Sequence, residues 1–135
     1  MHITGNGATP GDTMKRNQST EDYLENILLL SRESPFVHRV DVARRVGVSQ
    51  PAVQKAVKIL QNSGFVECDG MHIYLTRNGE EYARQIYERH CTIRDFLRLL
   101  GVNEADADAD ACEMEHVLSD ATYSAMKEYI DKINR

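Results

Sequence analysis

The sequence predicts a mainly α chain that is interrupted once, between residues 65 and 75, by a short β-hairpin. Three observations carry this reading. Apolar residues recur at helical spacing in six separate runs, Gly47, Gly64 and Gly101 stand where three of those runs stop, and two β-prone tetrapeptides flank Asp69-Gly70-Met71. A length of 135 residues suits one globular domain, or a small one that completes its core by pairing with a second copy. With 41% hydrophobic and 27% charged residues the composition is ordinary for a folded protein and does not suggest a disordered chain. No stretch approaches the roughly 18 to 20 consecutive apolar residues of a bilayer crossing, and the first residues lack the apolar run of a secretion signal. A cytoplasmic protein is the expectation.

The elements follow in order. Residues 1–18, rich in Gly, Asn, Thr and Pro without periodicity, read as a flexible tail. Ser19 and Asp22 resemble a capping box opening a helix over 20–33, with Tyr23, Ile27 and Leu30 on one face. Val40, Ala43 and Val46 indicate a short second helix stopped by Gly47. Ser49 is placed to cap the third helix, Pro51 suits its first turn, and Val53, Val57 and Leu60 form its apolar face. Phe65–Cys68 and His72–Leu75 make the hairpin. Thr76 caps a long helix reaching Leu100, striped by Tyr82, Ile86, Ile93 and Leu97. A fifth helix is expected from Asn103 to Leu118, and a sixth from Ser119, with Tyr123, Met126, Ile130 and Ile133 aligned.

Helix, short helix, tight turn, helix and two-stranded wing within about 60 residues is the winged helix-turn-helix layout. The fold class is therefore a winged helix-turn-helix DNA-binding domain over 19–80, followed by an all-helical domain over 81–135. The net charge of −5 does not contradict DNA binding, because its excess is C-terminal: residues 1–80 carry nine Lys/Arg against nine Asp/Glu, and residues 81–135 seven against twelve. Within 39–58, five basic residues face only Asp41. On the third helix the inward apolar stripe leaves Gln50, Pro51, Ala52, Gln54, Lys55 and Lys58 for the groove. Gln54 can bond a base edge at two points, Lys55 and Lys58 can meet phosphate or guanine, and Pro51 or Ala52 can touch a thymine methyl. Arg39, Arg44 and the Ser49 hydroxyl are placed to hold backbone phosphates.

Cys112-Glu113-Met114-Glu115-His116 is the most informative pentapeptide. On a helix, Cys112, Glu115 and His116 share a face and offer a thiolate, a carboxylate and an imidazole to one point. Asp22 and Glu25 repeat the three-residue spacing on the first helix, and His90 falls within the apolar stripe of the long helix. Such mixed donors suit divalent ions of the manganese to zinc series better than calcium or magnesium. Clustered carboxylates beside a His also repel one another unless a cation sits among them. An odd, widely spaced set of three cysteines argues against a disulfide framework. His2, His38, His72, Cys68 and Cys91 are assigned to surface or packing roles.

The stretches TEDYLENILLL, VSQPAVQKAVKILQNSGFV, YERHCTIRDFLRLLGV and CEMEHVLS resemble the diphtheria toxin repressor family, most closely its short manganese-transport-regulator branch, from Ser19 to Arg135. The resemblance implies that Asp22, Glu25, His90, Cys112, Glu115 and His116 bind the metal. It also implies a homodimer joined by C-terminal helices, and repression of metal-uptake genes when the ion is plentiful. Asp22 matches the manganese-sensing branch and Cys112 the iron-sensing one, so the cofactor is manganese or iron, with cobalt, nickel or zinc possible in vitro. Arg94 stands where relatives often carry a second-site glutamate, which argues against a second ion. The chain ends before the SH3-like third domain of longer members, as the short branch does.

The partners implied are double-stranded operator DNA and a second copy of the chain, with no membrane and no small organic substrate. A bridging ion is expected to narrow the range of domain orientations so that two recognition helices meet successive major grooves, about 34 to 36 Å apart. Two rivals stand beside this. One is a winged-helix regulator that responds to a small organic ligand without metal. The other is a metalloenzyme, disfavoured because the sequence has no His-Glu-x-x-His motif and no glycine-rich phosphate loop.

Overall fold

The computed structural model describes residues 18–135, so the expected tail and His2 lie outside the described residues apart from Gln18, which belongs to the first helix. The elements run α1 (Gln18–Glu33), α2 (Arg39–Val46), α3 (Gln50–Asn62), β1 (Val66–Asp69), β2 (His72–Leu75), α4 (Arg77–Leu99), α5 (Glu104–Met114) and α6 (Asp120–Ile133). Because α1 already includes Gln18, Ser19 is not its cap.

The starts of the later helices follow local chemistry. Ser49, Thr76, Asn103 and Ser119 are extended, and each accepts a hydrogen bond at its side-chain oxygen from a backbone N–H three residues on. That satisfies one of the amide donors a helix leaves open at its first turn. Gly47 ends α2 at φ +84°, a left-handed conformation that costs other residues a steric penalty, and its N–H donates to the Ala43 carbonyl. Within α2 Val42 and Ala43 are buried and Val46 packs half-buried against the core, while Val40 is exposed, so of the three-residue repeat Val40 is the member that faces outward.

The wing pairs β1 with β2 antiparallel, Val66 opposite Leu75 and Asp69 opposite His72. The Ile73 N–H also donates to the Val37 carbonyl at 2.8 Å, so the segment entering α2 closes one edge of the hairpin. The wing is sutured to α4 as well. Thr76 bonds both the Gly64 carbonyl and Phe65, and Gly79 lies so close that a Cβ there would sit 1.9 Å from the Phe65 carbonyl oxygen.

One core joins these pieces. Leu24, Ile27 and Leu28 of α1, Val42 of α2, Val53, Val57 and Leu60 of α3, Val66 and Ile73 of the wing, and Ala83 and Ile86 of α4 are all buried together. Burying an aliphatic side chain of this size contributes about 1.5 to 3 kcal/mol. The first helix therefore packs on the winged unit and on α4, and α4 in turn carries α5 and α6.

Helix α5 ends at Met114, four residues earlier than its apolar pattern predicts. Arg89 of α4 explains the break. Its guanidinium donates to the Glu115 carbonyl at 3.1 Å, to the Leu118 carbonyl at 2.6 Å and to the Asp120 carboxylate at 3.1 Å, capping the freed end and the start of α6 together. Cys112 is thus helical and Glu115, the C-cap, keeps helical backbone angles and donates to the Ala111 carbonyl, so these two stay on one face as the pattern predicts, while His116 lies in the turn that follows.

No residue of α6 is buried in the single chain: Tyr123, Met126 and Ile130 are half-covered and Ile133 is exposed. Leu99, Leu100, Val117 and Tyr129 are exposed too.

Candidate metal centre and DNA-facing surface

The α1 helix brings a run of acids against α4 and the α5–α6 turn. Glu21 and Glu25 are buried, Asp22 is half-buried, and Glu115 and His116 are buried on the other side of the contact. His90 lies in the same layer, buried in α4. Donor atoms of His90, Cys112 and Glu115 lie within 4.8 Å of one another. Asp22, Glu25, His90 and Cys112 line one cleft of about 390 Å³, with Asp108 and Arg94 on its wall. All six sequence-selected metal-site residues thus meet in one region although 94 positions separate the first from the last.

Both imidazoles are clamped between carboxylates. His90 donates through Nε2 to Asp108 Oδ1 at 2.8 Å and through Nδ1 to Glu115 Oε1 at 3.3 Å. His116 donates through Nδ1 to Glu21 Oε1 at 2.7 Å and through Nε2 to Asp22 Oδ1 at 2.8 Å. The Cys112 sulfur, then Glu115, pushes the His90 pKa up to about 11. Burial alone would lower His116, but its bonds to Asp22 and Glu21 outweigh that and hold it at about 10. Two imidazolium ions therefore neutralise part of the carboxylate cluster in this state.

They do not neutralise all of it. Burial, and then the neighbouring Glu115, pushes the Glu25 carboxyl up to about 7. Burial also raises the Glu115 pKa against the opposing pull of His90 and His116. Glu115 Oε2 is buried and has no hydrogen-bond partner among the described residues. An unpartnered buried carboxylate oxygen is costly, and a cation bound beside it would remove that cost. The donor set of thiolate, imidazole and carboxylate fits a transition ion.

Sequence reasoning missed Glu21, Asp108 and Arg89. Glu21 sits beside Asp22, and the three-residue spacing selects Asp22 and Glu25 without it. Asp108 sat in the Ala-Asp alternation, where no spacing distinguished it. Arg94 makes its ion pair with Asp95 at 3.2 Å. Cys91 and Cys68 are half-buried, and His38 and His72 border the wing.

On the other end of the winged unit, Gln50, Pro51, Gln54, Lys55 and Lys58 are exposed along α3 and Arg44 is exposed on α2, while Ala52 is half-buried. Ser49 Oγ is engaged as acceptor from the Ala52 N–H at 3.2 Å, which leaves its hydroxyl hydrogen as a donor. Arg39 differs from its expected place as a free phosphate contact: its Nε donates to Gln54 Oε1, and its Nη2 reaches Cys68 Sγ at 3.9 Å. Arg39 and Gln54 must exchange this contact if both are to meet DNA separately.

Residues 16–71 match the model of the iron dependent repressor N-terminal DNA binding domain, and residues 76–135 match the iron dependent repressor metal binding and dimerisation domain. The chain belongs to the iron-dependent repressor family. It is a metal-dependent transcriptional regulator, with a winged DNA-binding half and a half that binds metal and dimerises.

Family relatives include the transcriptional regulator MntR of Escherichia coli O6:H1, 39% identical over 118 residues, covering 87% of this chain and 76% of that protein. MntR of Salmonella typhimurium is 40% identical over 111 residues, covering 82% and 71%. Among solved structures, the metal-dependent transcriptional regulator MtsR superposes with a TM-score of 0.77 at 28% identity, over 83% of this chain and 53% of that one. The manganese regulator SloR gives 0.73 at 29% identity, again over 83% and 53%. The chain spans about half the length of those two solved chains.

Proposed function

We propose that this protein is a homodimeric repressor of metal-uptake genes that grips operator DNA when manganese or ferrous ion occupies the cluster between α1 and the α5–α6 turn. The observation that carries the metal reading is Glu115 Oε2, a buried carboxylate oxygen with no partner, surrounded by Asp22, Glu25, His90, Cys112 and His116. Those six residues are the proposed ligands. The named relatives, manganese regulators among them, support the choice of ion.

The bound ion supplies positive charge where carboxylates from two parts of the chain converge. Asp22 and Glu25 belong to the unit that carries α3, whereas Cys112, Glu115 and His116 belong to the unit that carries α6. Fixing one set against the other sets the orientation of each α3 relative to the dimer, and hence the separation of the two recognition helices, which must be about 34 to 36 Å to enter successive major grooves. The exposed face of α6 with Leu99, Leu100 and Val117 is the proposed seam between copies. Arg39, Arg44, Ser49, Gln50, Pro51, Ala52, Gln54, Lys55 and Lys58 are the proposed DNA contacts. Residues 19–80 and 81–135 are the proposed domains.

We read the protein as a non-enzyme, since its relatives are regulators. No described helix is long and apolar enough to cross a membrane, and action in the cytoplasm fits a protein that meets DNA. The test is fluorescence anisotropy on duplexes enriched from a random pool by the manganese-loaded protein. Affinity should fall at least tenfold in chelator and return with manganese or ferrous salt. Full affinity in chelator overturns the reading and favours a regulator that needs no metal.

A further inference from the structure

Glu21 has the environment of a residue that serves another residue. It is 3% exposed, and both of its oxygens are engaged. Oε1 accepts from His116 Nδ1 at 2.7 Å, and Oε2 accepts from the Tyr82 hydroxyl at 2.6 Å. The opposite edge of the His116 ring presents Nε2 to Asp22 Oδ1 at 2.8 Å. Adjacent residues of α1 therefore hold the two nitrogens of one imidazole, and the ring itself is 1% exposed.

An imidazole that binds a metal through one nitrogen must keep a proton on the other, and that proton needs an acceptor when the ring is buried. A carboxylate acceptor selects the tautomer, fixes the rotation of the ring and raises the basicity of the ligating nitrogen. We propose that Glu21 is the positioning carboxylate of the metal centre: it holds the His116 Nδ1 proton so that Nε2 is delivered beside Asp22, and Tyr82 holds Glu21 in turn. This rests on the reading of His116 and Asp22 as metal ligands.

The alternative role, Glu21 as a ligand itself, is disfavoured by the same contacts. A cation at Nε2 beside Asp22 lies across the ring from Glu21, whose second oxygen is taken by a phenol of α4. A purely structural role, Glu21 as the buried ion-pair partner of the His116 imidazolium, makes a different prediction: it requires Glu21→Ala to lower the melting temperature and leave manganese affinity intact. The basicity the carboxylate lends to the ring is what a metal-bound imidazole uses.

The experiment uses the full chain with Glu21→Ala, Glu21→Gln, Tyr82→Phe and His116→Ala. Manganese affinity and stoichiometry come from isothermal titration, folding from thermal melts, and the His116 tautomer from long-range proton–nitrogen spectra of zinc-loaded protein. Glu21→Ala should weaken manganese by roughly 10- to 100-fold at unchanged stoichiometry. Glu21→Gln, whose amide oxygen still accepts from Nδ1, should weaken it less, and Tyr82→Phe less than Glu21→Ala. The zinc-loaded wild type should show Nδ1 protonated and Nε2 bound to metal, and Glu21→Ala should lose that single tautomer.

Unaltered manganese affinity in Glu21→Ala overturns the proposal, as does the loss of one ion per chain, which would make Glu21 a ligand. So does a wild-type spectrum with metal on Nδ1. If Glu21→Ala does not fold, Glu21→Gln decides on the same readouts. His116→Ala keeps the two readings apart. Wild-type affinity in that variant removes His116 from the ligand set, whereas weak binding there beside normal binding in Glu21→Ala removes only the role given to Glu21.

Discussion

Replacing Glu115 by glutamine separates what this side chain does with and without a cation. In the metal-free protein the carboxyl is buried, one oxygen has no partner, and burial raises its pKa above the ordinary value of 4.5. A carboxyl that holds its proton more tightly folded than unfolded subtracts from stability once the pH passes the unfolded value. Glutamine keeps the volume and removes the charge. At pH 7 in chelator, the variant should therefore melt at or above the wild-type temperature. Manganese at about 100 times the dissociation constant should stabilise the wild type by about 2.7 kcal/mol. For a chain of this size that is a rise on the order of 10 °C. Losing a charged ligand should weaken binding at least as much as losing an outer-shell partner, with the upper end of that range, about 100-fold, as the expected loss. At the same manganese concentration the variant then sits near its own dissociation constant and gains about 0.4 kcal/mol or less, a degree or two. The two melting curves should cross over: variant higher in chelator, wild type higher in manganese. Scanning fluorimetry in both conditions is sufficient. An equal manganese shift in the two proteins removes Glu115 from the site, and a variant that melts far below wild type in chelator refutes the electrostatic account.

The pH dependence of the metal-free fold has a worked sign. Glu25, raised to about 7, costs stability increasingly between pH 4.5 and 7, while His90 and His116, raised to about 11 and 10, lose their stabilising contribution as pH climbs from 6.5. Melting temperature in chelator should fall from pH 5 to pH 9, and manganese affinity should rise over the same range because ligands must shed protons; a metal-free melting temperature that climbs from pH 6 to 9 would contradict both assignments. Gly79→Ala drives a Cβ into the Phe65 carbonyl oxygen, backbone that cannot swing aside, and should cost about 2 kcal/mol or more in urea unfolding. Lys55→Ala should leave manganese affinity intact and weaken all operator variants alike, lowering the salt slope of log affinity by about 1. A loss confined to one base pair would make Lys55 a base reader instead.

Where the sequence was legible, the physics was local. Ser49, Thr76, Asn103 and Ser119 act on amides three residues away, and Val53, Val57 and Leu60 need only one helix to define a face. The eight-residue α2 is too short for periodicity to fix its phase, and Val42 rather than Val40 turns inward because the surrounding core decides. The end of α5 depends on Arg89, which reaches the Glu115 carbonyl from 26 positions away, so no pattern within 103–118 could reveal it. The site divides along the same line. Cys112, Glu115 and His116 stood out because unlike donors crowd five residues, and Asp22 with Glu25 because their spacing matched. Glu21 and Asp108 carry the same chemistry but are recognisable only through the imidazoles they face, 95 and 18 positions away. Spacing along one helix reports which side chains can act together; it cannot report which of two neighbouring acids points at a partner on another element. Asp22 and Glu21 are adjacent and both carboxylates, and the fold assigns them opposite edges of one ring, so any difference in their function is created by the placement of His116 rather than by their own composition.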